Sequence, residues 1–481
     1  PSATPLPTAT ATPTSTPTAT PTATPTPIPT IQVGGLSVPD PRVTNPELFD
    51  LTNPDAPIPQ FVRAMREVGI TLDPAFVAEN LGRNYQLRQG PDGKPCVLTV
   101  YRTENKPYAM AFIAEQNEKG EWKWRRAQWH DITNIIRANS GRDFMVAVGI
   151  DEGDENHNDP LYLTRAFEGN TIWITGGLMH SSIGYGRTYV PQVLHEYHRR
   201  FPNNPATLGF YHMFWHHDQI PQLNTAEETR NYMRQRVREV LTILAPFLRQ
   251  YNDRIIFNLT NEAMAGFGGS HNYVGWVEHS GNGELYPYYK FFGDNWITEA
   301  YLAFEDVRRE MGLPRENFTL LVAEYGIDLP GRKSEFYEDR LRTIKQRIAQ
   351  ELGISWKQVQ LDIGIQCNHI YDSPYEEEYY RLMATENGRV AIASNINALA
   401  INTNSKVFFL EVNYKDNSLE HALELLDLAR RVDNLGGFQH AGLRINSDVE
   451  NTYWDIDERT SYPPTAAYYA FFDFLLNFIN N

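Results

Sequence analysis

Positive charge is in short supply: 43 Lys and Arg stand against 59 Asp and Glu, leaving a net charge of -16 over 481 residues. Gripping phosphates needs clustered basic side chains, so the deficit argues against a nucleic-acid partner and against docking on an anionic membrane. Cysteine is nearly absent. Cys96 and Cys367 stand far apart and build neither a disulfide framework nor a four-cysteine zinc site. Long apolar runs are also missing. The most apolar stretch, Ala466–Ile479, is fourteen residues long and is broken by Asp473 and Asn477, short of the ~20 that a spanning helix needs. It reads as a buried terminal helix. What is abundant is core material: 41% hydrophobic and 12% aromatic residues exclude wholesale disorder.

Twenty-one of residues 1–30 are Pro or Thr, and none is charged. Such a tract cannot bury a core, and its prolines hold it extended as a disordered, semi-rigid linker. Spacers of this kind hold a module away from an anchor, and a first residue of Pro rather than Met suggests that a leader has been removed. A secreted or cell-surface tethered location is the expectation.

Residues 31–132 read as a small α+β extension. Gln60–Val68 and Pro74–Asn80 have helical patterns, the first with Pro59 in its first turn. Cys96–Tyr101 and Tyr108–Ala114 read as strands. From residue 133 to 481, short apolar runs alternate with amphipathic helices. The candidate strands are Phe144–Gly149, Thr171–Thr175, Thr207–His212, Ile255–Asn261, Thr319–Glu324, Gln360–Gln366, Lys406–Val412 and part of Gly442–Trp454. Thr225 with Glu228 makes a capping box for a helix running to about Tyr251. Ser334 can cap a second helix ending near Gly353, and Asn417 or Ser418 a third ending near Gly436. Eight strands separated by helices predict an α/β fold of the (β/α)8 TIM barrel type.

In such a barrel the chemistry sits where strands end. Glu262 closes the run Ile255–Asn261, and Glu411 closes Val407–Leu410. A carboxylate ending an apolar run is costly to desolvate without a purpose. A pair at barrel strand ends, ~5 Å apart, suits glycoside hydrolysis with retention: one acid/base, one nucleophile. A strand-end salt bridge is the plainer reading of either alone. Tyr211–Pro221 carries His212, His216 and His217 with Gln219, which as strand-end side chains can donate to sugar hydroxyls. His195 and His198 are three apart rather than the four of a zinc-protease helix, with no third ligand evident; they read as surface residues of a helix.

With these motifs the chain resembles glycoside hydrolase family 10, the endo-β-1,4-xylanases, over residues 140–481. His212–Pro221 looks like the family's third-strand His-Thr-Leu-Val-Trp-His-Ser-Gln-x-Pro, Phe257–Ala263 like its Trp-Asp-Val-Val-Asn-Glu-Ala, and Leu410–Asn413 like its Thr-Glu-Leu-Asp. The resemblance implies Glu262 as acid/base, Glu411 as nucleophile, and His212, His217, Gln219, Asn261, Tyr325, Gln366 and Trp454 as substrate-binding residues. Asn261 would steady the sugar near its 2-hydroxyl. Ser461-Tyr462 resembles the Ser-Trp of the eighth strand's loop, and Trp215 and Tyr462 are further candidate faces for sugar rings.

The departures bear on substrate. The family's second-strand Glu-Asn-x-x-Lys falls on Gly176–His180, so its gripping side chains are replaced and His180 stands at the lysine position. The fifth-strand Asn-Asp-Tyr-Asn is Ala323–Gly326, the family's Gln-x-His is Gln366-Cys-Asn-His369, and an insertion rich in Gly and Tyr lies around 266–295. The resemblance therefore implies a divergent, endo-acting, retaining xylanase whose partner is a plant cell-wall polysaccharide, working as a monomer with no cofactor. Two alternatives stand beside it: a retaining hydrolase of another β-glycan with rebuilt subsites, and a non-catalytic carbohydrate-binding barrel.

Overall fold

The computed structural model describes residues 28–90, 93–117, 119–151, 163, 167–175, 178, 183–201, 205–210, 212–215, 220–265, 275–277, 286–368, 374–413, 419–440 and 465–479. The Pro/Thr tract up to residue 27 lies outside them. So do His180, His217, Gln219 and Trp454, the segment 442–454, Ser461-Tyr462 and most of the insertion around 266–295.

The chain begins with a hairpin of β1 (Thr30–Val33) and β2 (Leu36–Pro39). Helices Pro57–Glu67 and Pro74–Leu81 follow, each with Pro in its first turn, where the missing N–H costs nothing. Asp73 caps the second by accepting from Ala75 N at 3.0 Å. Next comes an antiparallel meander of β3 (Tyr85–Gln89), β4 (Pro95–Arg102), β5 (Ala109–Gln116) and β6 (Trp122–Arg126). The helix Trp129–Ser140 then leads into the barrel.

The barrel is made of β7 (Met145–Asp151), β8 (Thr171–Thr175), β9 (Thr207–Phe210), β11 (Arg254–Asn261), β14 (Phe318–Tyr325), β15 (Asp362–Asn368), β16 (Val407–Asn413) and β17 (Leu435–His440). Every barrel pairing is parallel, and β11–β9 with β17–β7 closes the ring. The short β10 (Phe214–Trp215) resumes the third barrel strand beyond β9 and pairs with the end of β11. Beyond β11, β12 (Met264–Ala265) and β13 (Gly275–Trp276) form a small antiparallel pair. Helices including Ala226–Tyr251, Trp296–Glu310, Arg332–Leu352, Glu386–Thr403 and Leu419–Arg430 connect the strands. Among the described residues no helix is long and apolar enough to cross a membrane.

Alternate residues point into the barrel and form a core of their own: Met145, Ala147, Trp173, Ile256, Leu321, Ala323, Phe408 and Leu410. The fully buried Trp173 fits because Gly209 faces it from the next strand, where any Cβ would overlap its ring.

Three local expectations need correction. The eighth strand is Leu435–His440, ahead of the expected 442–454. Its Gly436-Gly437 reads as the end of a helix, yet both glycines are demanded by packing. A Cβ on Gly436 would lie 2.6 Å from the Phe408 ring, and one on Gly437 would overlap the Met145 carbonyl oxygen. Ser334 does not cap its helix, which starts two residues earlier at Arg332; its hydroxyl donates to Asn395 Oδ1 instead. His198 is no surface residue. It is buried, 2.9 Å from Asp253 Oδ2 and stacked on Tyr251, while Asp253 Oδ1 accepts from Ala206 N.

The extension and the barrel share one continuous hydrophobic core. The helix Ala466–Leu476, buried along its whole length, lies between them. Its Tyr469 meets Phe61 edge to face, and Tyr468 stacks on Trp129 with centroids 4.8 Å apart. Tyr468 also donates to the fully buried Glu168, whose other oxygen takes Arg126 at 2.6 Å.

Candidate active site

Glu262 follows directly on β11, and Glu411 stands near the end of β16. Two barrel strands, β14 and β15, separate β11 from β16, and the side chain that joins the glutamates comes from β15. Gln366 Nε2 donates to Glu411 Oε1 at 2.9 Å and to Glu262 Oε1 at 3.2 Å. Two oxygens held on one nitrogen at these distances are at most about 6 Å apart, an upper bound that admits the ~5–5.5 Å of a retaining pair. Gln366 Nε2 is also 3.4 Å from Asn261 Oδ1. With its nitrogen turned to the carboxylates, the amide leaves Oε1 with no partner among the described residues.

Both glutamates have left-handed backbones, φ 50° at Glu262 and 51° at Glu411. The other non-glycine residues with positive φ among those described are three asparagines, Asn105, Asn252 and Asn404, the residue type that tolerates this region. Glutamate does not take it freely, and such strain concentrates at functional sites. The local cause at Glu411 is a bulge. Phe409 pairs with Phe438 and Val412 with His440, so Leu410 and Glu411 together oppose the single residue Gln439. The Glu411 N–H then donates to Gln439 Oε1 at 2.5 Å. At the other glutamate, Glu262 N donates to Ala323 O at 3.0 Å, and Met264 N donates to Glu324 Oε2 at 2.9 Å.

Glu262 Oε2 accepts from Trp215 Nε1 at 3.1 Å, so each carboxylate oxygen of Glu262 has a donor. Trp215 thus presents its indole N–H to the carboxylate in addition to any ring face. The buried His212 lies against Trp215, with ring centroids 4.4 Å apart. Tyr325 is half-buried at the end of β14; burial, with the Glu324 and Glu262 charges, pushes its phenol up so that it stays protonated. Beneath its ring sits Lys333 Nζ, 3.3 Å from the centroid and 3.0 Å from Glu324 Oε1. Burial raises the Glu324 carboxyl, which Lys333 opposes, and burial lowers the Lys333 ammonium, which Glu324 opposes.

The structure therefore gathers Glu262, Glu411, Gln366, Asn261, Tyr325 and His212 at one end of the barrel. His180, His217, Gln219 and Trp454 fall outside the described residues, as does His369; at Asn368 only the backbone is described. Sequence reasoning missed Glu324, Lys333 and Gln439. Glu324 had the same signal as the two chosen glutamates, since it ends the apolar run Phe318–Ala323. Among the described residues no group of three or more His, Cys, Asp or Glu side chains is arranged to hold a metal ion.

No protein-family model matches the chain, and no curated protein matches it by sequence. In structure it is similar to several solved xylanases. Xylanase 10B from Thermotoga petrophila RKU-1, in complex with xylobiose, is 15% identical with a TM-score of 0.49, covering 74% of this chain and 99% of that one. Native xylanase 10B from Thermotoga maritima is 14% identical, with a TM-score of 0.49 and coverage of 73% and 99%. A glycosylated family 10 endo-β-1,4-xylanase from Gloeophyllum trabeum is also 14% identical, with a TM-score of 0.47 and the same coverage.

Proposed function

We propose that this chain is a retaining, endo-acting glycoside hydrolase that cleaves β-1,4 links of xylan by double displacement. The observation that carries the reading is the pair Glu262 and Glu411, bridged by one amide nitrogen of Gln366 at the strand ends of a closed parallel barrel. In this mechanism Glu411 attacks the anomeric carbon and forms a glycosyl-enzyme while Glu262 donates a proton to the leaving oxygen. Glu262 then takes a proton from water, which attacks the same carbon, and the sugar leaves with its configuration retained. Gln366 Nε2 fixes where the attacking oxygen stands, and Trp215 Nε1 holds Glu262 from the opposite oxygen. Preset geometry of this kind removes the cost of ordering the groups at the moment of reaction.

His212, Asn261, Tyr325 and Gln366 would contact the sugar, joined by His180, His217, Gln219 and Trp454. On this reading residues 31–132 are a structural extension, 133–481 the catalytic barrel, and 1–30 the spacer of a secreted or surface-tethered enzyme.

The test is reducing-sugar release from xylan, arabinoxylan, mixed-linkage glucan, mannan and carboxymethyl cellulose, with Glu411→Ala alongside. Release from xylan with α-anomer-free initial product by NMR, abolished in the variant, supports the proposal. Release from another glycan alone moves the substrate to the rebuilt second-strand segment Gly176–His180. Binding without release from any of them overturns hydrolysis in favour of a carbohydrate-binding barrel.

A further inference from the structure

We propose that Gln439 is a positioning residue for Glu411: its side-chain carbonyl holds the nucleophile's backbone in the left-handed conformation that aims its carboxylate at Gln366. The inference deepens the hydrolytic reading above and takes its chemistry from it.

The bulge creates a need that Gln439 meets. Because Leu410 and Glu411 share a single opposite residue, the ladder between β16 and β17 is interrupted at the Glu411 amide. On the other flank Gln366 pairs with Leu410 and Asn368 with Asn413, so β16 bulges against β15 at the same place. Gln439 Oε1 accepts from the Glu411 amide at 2.5 Å, and the Gln439 side chain is fully buried. A buried side chain that satisfies a backbone amide cannot move without leaving that donor short of its partner. Glu411 is thereby held from two sides, its amide by Gln439 of β17 and its carboxylate by Gln366 of β15.

Gln439 has no reach to the bond being broken through this contact; it acts through Glu411. Gln439→Met keeps the length and apolar volume of the side chain while removing the acceptor. Gln439→Glu keeps an acceptor at the same reach. The expected result for Q439M is a fall in kcat of about ten- to hundredfold on an aryl β-xyloside with KM within about twofold, the signature of a displaced reacting group. Covalent labelling of Glu411 by a 2-deoxy-2-fluoro-glycosyl reagent should slow by the same factor.

A second readout needs no turnover. Residue-resolved hydrogen exchange on the folded protein should show the Glu411 amide protected in wild type, about tenfold or more less protected in Q439M, and protected again in Q439E. Should Q439M fail to fold, Gln439→Asn, one methylene too short to reach, takes its place. Wild-type kcat and wild-type protection in the acceptor-deficient variant overturn the inference. An inactive wild type whose Glu411 amide still loses protection in Q439M upholds the positioning role and sinks the hydrolytic reading instead.

Discussion

Glu262 and Glu411 share one backbone conformation, φ 50° and 51°, although their strands are not neighbours in the barrel. Each has its amide taken by the next strand in the ring: Ala323 O of β14 for Glu262, Gln439 Oε1 of β17 for Glu411. The two carboxylates meet because two separate strand ends are bent in the same way.

That shared strain predicts an inversion of the usual order of substitutions. In ordinary helix or strand positions Ala is more stable than Gly by about 0.5–1 kcal/mol. At a left-handed position the Cβ is what costs, by about 1–2 kcal/mol. Glu411→Gly should therefore be at least as stable as Glu411→Ala, and Glu262→Gly as Glu262→Ala, while all four are inactive. Urea unfolding decides; Ala above Gly at both positions would mean that neither backbone is strained.

Gln366→Leu removes the donor that both carboxylates share. Hydrolysis should fall by on the order of a hundredfold, as when reacting groups are displaced by about 1 Å. Circular dichroism should be unchanged. Wild-type kcat in that variant would mean that the bridge has no part in the reaction.

The barrel interior should refuse even one methyl group at Gly209. Gly209→Ala places its Cβ in the Trp173 ring and should cost about 1–3 kcal/mol of stability. Trp173→Leu in the same chain should recover part of that loss, because the two sites touch and their effects do not add. Additive effects would separate Gly209 from the Trp173 packing.

Glu196 gives a pH dependence of known sign. Its hydrogen bonds to Arg199, with those to Arg200, hold its carboxyl down to about 2 against an ordinary 4.5. A depressed folded value means that the contribution is complete above about 4.5 and is lost as pH falls towards 2. These pairs are solvent-screened, so Glu196→Gln should cost under about 1 kcal/mol at pH 7, and the difference should shrink steadily as pH falls from 4.5 through about 2. Thermal unfolding of both proteins across that interval checks it.

Much of the barrel was legible because its strands are continuous apolar runs. Thr171–Thr175 matches its expected range, and six of the other seven strands overlap theirs by most of their length. The eighth was not legible: Leu435-Gly-Gly-Phe-Gln-His looks like the end of a helix until Phe408 and Met145 are known to occupy the space beside its glycines. Glu262 and Glu411 were legible as carboxylates ending apolar runs. Gln439 was not, since its role exists only once a bulge that sets Leu410 and Glu411 opposite a single residue has removed a ladder partner from Glu411. His198 was misjudged for a similar reason: Asp253, its partner, lies 55 residues downstream.

The clasp formed by Ala466–Leu476 has a bearing on how the protein is made. Arg102, at the end of β4, bonds Asn477 across 375 residues of sequence, and Trp129 and Phe61 await Tyr468 and Tyr469. A ribosome delivers the meander long before it delivers that helix, at about 5–20 residues per second. For tens of seconds, the aromatic surface that the helix will cover stands open on the nascent chain. The order of synthesis thus leaves the core shared by the meander and the barrel incomplete until the last helix arrives.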